Sequence, residues 1–239
     1  MSGINPKWIY LLVLSLIWGS SFILIKKALL GLTPYQLGAL RVIITGLFLL
    51  AMGYKTLKTI KSSDWKWLII SGILGSFIPA FFFAIAETQI DSAVVSVLNS
   101  LVPLNTILLG FTIFKITSTK RQILGVIIGF IGTTILILKG ANLNPHQNSF
   151  YAIFVILSTL MYAANVNIIK KYLQHVKPLT IATGNFVVIF IPALVILVSS
   201  DFFSSRTLEN PNFRMAMIYI TILAFFGTAL AKILFNLFI

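Results

Sequence analysis

Arg41 is the residue whose chemistry most needs an explanation. It stands about seven residues past Pro34 inside an apolar run, roughly 10 Å along a helix that rises 1.5 Å per residue. A guanidinium at the centre of a membrane helix costs about 2.5–3.5 kcal/mol on insertion scales, so it normally faces a cavity or a partner. One reading makes Arg41 the counter-charge for an anionic or zwitterionic solute, or a gate. The other makes it structural, reaching toward the outer interface or capping carbonyl groups.

Other polar and aromatic residues fall at related positions in neighbouring runs. Trp18, Ser20 and Ser21 lie in the first run, and Tyr162 and Asn165 in the sixth. Together they make an aromatic-and-polar set suited to an amphipathic solute, although small positions such as Gly19 and Ser20 serve equally for close helix packing. Asn99 and Asn105 flank Pro103. A proline frees a carbonyl and kinks its helix, so these amides either bind solute or satisfy that backbone. Trp18, Ser21, Arg41, Asn99, Asn105, Tyr162 and Asn165 are therefore the expected substrate-binding residues. Asn165 and Asn167 are two apart and diverge around a helix, so at most one faces the pathway. Of Phe81, Phe82 and Phe83, one or two could shape an apolar pocket, but an aromatic run in a membrane helix more often faces lipid or packs in the core. Glu87 and Asp91 read as solvated loop charges, and Lys232 as a lysine snorkelling from the end of the last run. His146 and His175 fall in loops on opposite sides of the membrane and cannot share a metal. The chain has no cysteine, no phosphate-binding Gly-rich loop and no HExxH motif, so we expect no catalytic residue, metal or cofactor.

The elements that must position these residues are apolar runs. Eight are legible, at 8–25, 34–52, 67–86, 92–114, 122–138, 150–169, 178–198 and 215–238. Most are long enough to cross a hydrocarbon core of about 30 Å as helices, and they are continuous rather than alternating, which excludes a barrel. Gly125, Gly129 and Gly132 predict that the fifth is a thin helix pressed against its neighbours. Only 10% of the 239 residues are charged and 58% are hydrophobic, with a mean hydropathy of +1.00; a soluble domain carries about 25% charged residues. The fold class is therefore an all-α polytopic membrane protein. The net charge of +13 sits mostly between the runs, where it sets topology and does not argue for nucleic acid.

The chain also repeats itself. Lys26-Lys27 recurs as Lys170-Lys171, Pro34 as Pro178, Trp18 as Tyr162 and Ser21 as Asn165, all at an offset of 144 residues. The second copy begins five runs after the first. Five is odd, so it enters the membrane upside down, and inverted repeats are a signature of secondary transporters. Residues 1–140 are expected to form the first repeat, and 145–239 an incomplete second one with three of its five helices. With the N-terminus in the cytoplasm, eleven of the eighteen Lys and Arg residues fall inside and five outside. Basic short loops stay inside, so that is the expected orientation.

Several stretches resemble the drug/metabolite transporter superfamily, specifically its EamA-like branch. They are Trp18-Gly19-Ser20-Ser21 with Lys26, Pro34 with Ala39-Leu40-Arg41, and Leu98-Asn99-Ser100-Leu101-Val102-Pro103-Leu104. Gln122-Ile123-Leu124-Gly125 leading to Gly132, and Gly227-Thr228-Ala229-Leu230-Ala231, extend the resemblance over nearly the whole chain from Trp8. It implies ten helices as two inverted five-helix units, in proteins that move small metabolites across the cytoplasmic membrane, often outward. The chain departs from the pattern at Lys115, where a Glu often follows the fourth helix, and at Lys232, where an aromatic is common.

These readings converge on a secondary transporter working by alternating access, and the family resemblance implies an exporter of small metabolites or amino-acid-like solutes in a bacterial inner membrane. The partners expected are a small-molecule solute and membrane lipid, with a homo-oligomer left open. The alternatives are a non-transporting or truncated membrane subunit and, more weakly, a lipid-modifying membrane enzyme. The enzyme would need clustered Asp, Glu or His, and the five acids here are scattered.

Overall fold

A computed structural model describes residues 6–140 and 148–238; His146 lies outside them. Eight long helical elements follow in order: α1 (Pro6–Ala28), α2 (Pro34–Gly53), α3 (Ser62–Glu87), α4 (Ser92–Thr112), α5 (Lys120–Gly140), α6 (Ala152–Tyr172), α7 (Pro178–Ser199) and α8 (Phe213–Leu237). Among the described residues, seven helices are long and apolar enough to cross a membrane, and α5 adds a 21-residue apolar helix. The protein is polytopic and helical, as expected. Helices suit this setting because every backbone polar group is satisfied within the segment.

Local sequence sets where the helices start and bend. Thr33 and Gln36 cap α2 reciprocally, with Thr33 N donating to Gln36 Oε1 at 2.9 Å and Gln36 N to Thr33 Oγ1 at 3.3 Å. Pro34 occupies the first turn, where its missing N–H costs nothing. Thr119 and Gln122 cap α5 in the same way. Neither α3 nor α8 is uniform: α3 carries a π-helical stretch at Ile73–Phe77 and α8 a longer one at Leu223–Leu230. α4 breaks at Ser100 and Leu101 and resumes at Val102–Thr112, with Pro103 in its first turn.

The helix ends establish direction. At one end of the molecule, Lys26 Nζ of α1 donates to the carbonyls of Glu87 (2.6 Å) and Ile90 (3.1 Å), so α1 and α3 finish together and run parallel. Trp67 near the start of α3 stacks 3.7 Å from Tyr172 at the end of α6, and Phe82 meets Phe154 near its beginning, so α6 runs opposite to α3. Gln36 at the start of α2 donates to the carbonyl of Ser200 just past α7, while Gly53 at its end lies against Leu179 and Thr183 at the start of α7. Hence α6 is antiparallel to α1, and α7 to α2.

Close approach between these helices uses small residues, as association in lipid favours. Ser21 of α1 lies against Gly227 in the π-helical stretch of α8, and Asn165 of α6 against Gly75 in that of α3. A Cβ at either glycine would collide with the opposing side chain. The glycines of α5 behave differently: among the described residues, a Cβ at Gly125, Gly129 or Gly132 would meet nothing within 4 Å. The expectation that this face presses on a neighbour is not met, because α5 packs on α4 and turns the glycines away.

Candidate functional site

A cavity of about 530 Å³ lies among α1, α2, α3, α4, α6, α7 and α8. That volume is typical of small-molecule sites. Trp18, Ser21, Arg41, Asn99, Tyr162 and Asn165 all line it. Asn105 does not. Its Nδ2 donates to Thr159 Oγ1 at 2.9 Å and ties α4 to α6, while Val102 and Pro103 at the start of the same segment line the cavity. Asn167 likewise points elsewhere and donates to the carbonyls of Thr106 and Ala163.

Arg41 comes from the middle of α2 and is 9% exposed. Its Nε donates to Thr228 Oγ1 at 2.9 Å, and Thr228 in turn donates across the π-helical stretch to the carbonyl of Leu223. Thr45, one turn further along α2, donates to the carbonyl of Ala224. The widened turns of α8 are thus stitched to α2 through its own backbone carbonyl and a threonine. π-Helical turns are rare and often mark functional positions.

Lys232 departs from expectation. It does not snorkel to an interface: it is 8% exposed and lines the cavity. Its Nζ donates to Ser76 Oγ at 2.6 Å and to the carbonyl of Gly75 at 3.1 Å, and lies 5.8 Å from the Phe186 ring centre. The cause is visible in α3. Pro79 has no N–H to give the carbonyl four residues earlier, which is that of Gly75; that carbonyl accepts instead from Ser76 Oγ at 2.7 Å and from the Lys232 ammonium. Proline, π-helical turn and buried lysine form one unit.

The aromatic wall is built from several helices. Phe83 packs on Phe22 and lies nearly parallel to Tyr162, with centroids 5.8 Å apart. Trp18 meets Phe235 edge-on at 5.4 Å. Of the three consecutive phenylalanines only Phe83 lines the cavity; Phe82 packs on Phe154 and Phe81 on Phe77. Ser21 Oγ returns to the carbonyl of Ile17 at 2.7 Å, while Ser20 bonds backward on the exposed face. Asn165 Oδ1 accepts from Ser71 Oγ at 2.6 Å, and Ser71 also meets the Asn185 amide. Asn99 Oδ1 is buried without a partner.

Glu87 is also placed differently from the sequence reading. It is fully buried rather than solvated, and its Oε2 accepts from Ser92 Oγ at 2.7 Å. It lies within electrostatic reach of Lys26 and Arg41 but does not line the cavity. At the opposite end His175 Nε2 sits 3.0 Å from Asp64 Oδ2, tying the α6–α7 turn to the start of α3. Among the described residues no three His, Cys, Asp or Glu side chains cluster as metal ligands would. A second hollow, along Phe213–Ile222, is lined by that one helix and brings no converging groups together.

Comparison with known proteins adds to this geometry. The model of the EamA-like transporter family matches residues 6–138. An uncharacterized transporter of Archaeoglobus fulgidus is 25% identical over 227 residues, covering 95% of this chain and 67% of that protein. Protein PecM of Dickeya dadantii is 29% identical over 160 residues, 65% of this chain and 50% of its own length. The uncharacterized inner membrane transporter YedA of Escherichia coli K12 is 26% identical over 162 residues, 66% of this chain and 51% of its own. The chain spans about half to two thirds of the length of these curated relatives.

Proposed function

The chain belongs to the EamA-like transporter family, and we propose that it serves as a secondary transporter moving small metabolites outward by alternating access. In this reading residues 1–140 and 145–239 are two inverted repeats, the second incomplete. The N-terminus faces the cytoplasm of a bacterial inner membrane, so the Lys26 end faces outward. Solute binds among Trp18, Ser21, Arg41, Asn99, Tyr162 and Asn165, and relative motion of the two units exposes it to each side in turn.

The observation that supports this most is the cavity itself. It gathers side chains from α1 to α4 on one hand and from α6 to α8 on the other, so relative movement of the two groups must reshape it. The buried Arg41 and Lys232 make it polar at a depth where a charge without a task is selected against.

Counterflow in liposomes tests the proposal. The chain is expected to exchange at least one solute from a broad metabolite panel. Arg41→Gln is expected to slow that exchange roughly tenfold or more, the scale of losing a charge-assisted hydrogen bond, with folded protein recovered at wild-type yield. Loss of folded protein instead would assign Arg41 to structure. If neither this chain nor the full-length Archaeoglobus relative moves any solute, the transporter proposal fails.

A further inference from the structure

The cavity holds more positive charge than the protein answers. Arg41 and Lys232 both line it, and among the described residues no Asp or Glu does. A guanidinium carries five N–H donors and an ammonium three. Here Arg41 uses its Nε on Thr228, and Lys232 uses two donors on Gly75 and Ser76. These acceptors are a hydroxyl, a carbonyl and another hydroxyl, none of them charged. Glu87, the carboxylate within electrostatic reach of Arg41, is shared with Lys26 and already accepts from Ser92 outside the cavity wall. Two buried cations set against one outlying, shared carboxylate leave an excess of positive charge, and a buried unpaired charge is expensive. The rest of the wall combines aromatic rings, Trp18, Phe83, Tyr162 and Phe186 among them, with aliphatic side chains and a few hydroxyls and amides, and its exposed surface is mainly apolar.

We infer that the solute is an amphipathic organic anion: a carboxylate held by Arg41 and Lys232, with an aromatic or branched apolar body on the wall and no ammonium group. The inference rests on the transporter reading of the same cavity and narrows its substrate class. Arg41 offers planar, paired donors that match a carboxylate, and Lys232 adds a point charge. A free amino acid fits less well than the matching acid, because its ammonium meets no carboxylate among the lining residues. The orphaned Asn99 Oδ1 is left to accept a hydroxyl or amide N–H of the body.

Binding of three matched probes to the whole purified chain tests this: 3-phenylpropanoate, phenylalanine and phenethylamine, read by quenching of tryptophan fluorescence. The acid is expected to bind roughly tenfold or more tightly than the zwitterion, and the amine not at all. Lys232→Gln is expected to weaken the acid roughly tenfold, while Lys232→Arg, which keeps the charge, retains most of the affinity. Equal or stronger binding of phenylalanine or phenethylamine overturns the inference, as does no binding of any probe, or undiminished binding by a folded Lys232→Gln protein. Counterflow of cations with no preference for anions sinks this inference and leaves the transporter reading standing. Anion binding without counterflow of any solute does the reverse.

Discussion

Asn105 and Asn99 sit six positions apart, on either side of one proline, and the structure gives them different work. Asn105→Ala removes the hydrogen bond to Thr159, which in a membrane bundle averages about 0.6 kcal/mol. We expect a small fall in thermal stability and no change in the KM for transported solute; a raised KM would place Asn105 at the solute after all. Much of the cavity was legible at this scale because its polar residues violate the apolar runs that carry them. Trp18, Ser21, Arg41, Asn99, Tyr162 and Asn165 are conspicuous there as types. Lys232 was not, because a lysine near the end of an apolar run reads as one reaching for water, and the carbonyl that holds it belongs to a helix about 157 residues away. Glu87 was misread for a related reason. Its run ends at the helix terminus, and only the fold shows that Lys26 and Ser92 close over it.

The elements that matter most to the site are the two irregular ones. α3 and α8 occupy third place in their respective groups, and both depart from regular α-helix where they meet the cavity. In α3 the departure precedes Pro79, and the carbonyl that the proline cannot serve is shared by Ser76 Oγ and Lys232. Pro79→Ala supplies an N–H to compete for that carbonyl. We expect a protein at least as stable, since an interior proline costs a helix about 3 kcal/mol, but one with slower counterflow because Lys232 loses its fixed position. Unchanged transport in a folded Pro79→Ala protein would show that the proline does not set the lysine. The sequence places a proline in this run but does not announce the π-helical turns, within which Asn165 approaches Gly75 in α3 and Ser21 approaches Gly227 in α8. The outer glycines of α5 mislead in the opposite sense, since small residues permit close packing without requiring it.

For the molecule as a whole, the decisive property is that its later helices run opposite to their earlier counterparts. In the proposed repeat, Lys-Lys and Pro keep a 144-residue register while the apolar residues between them differ. One lysine of each pair meets the end of a neighbouring helix, though not at matched positions: Lys26 closes the carbonyl end of α3 and Lys171 donates to the carbonyl of Phe114 just past α4, where a cation is favoured. Absence of cysteine makes the arrangement directly measurable. Leu30 and Gln174 are exposed and occupy matching places in the two copies. In cells expressing Leu30→Cys or Gln174→Cys, a membrane-impermeant maleimide is expected to label Cys at 30 from outside, and at 174 only after the membrane is opened. Labelling of both from the same side would contradict the account.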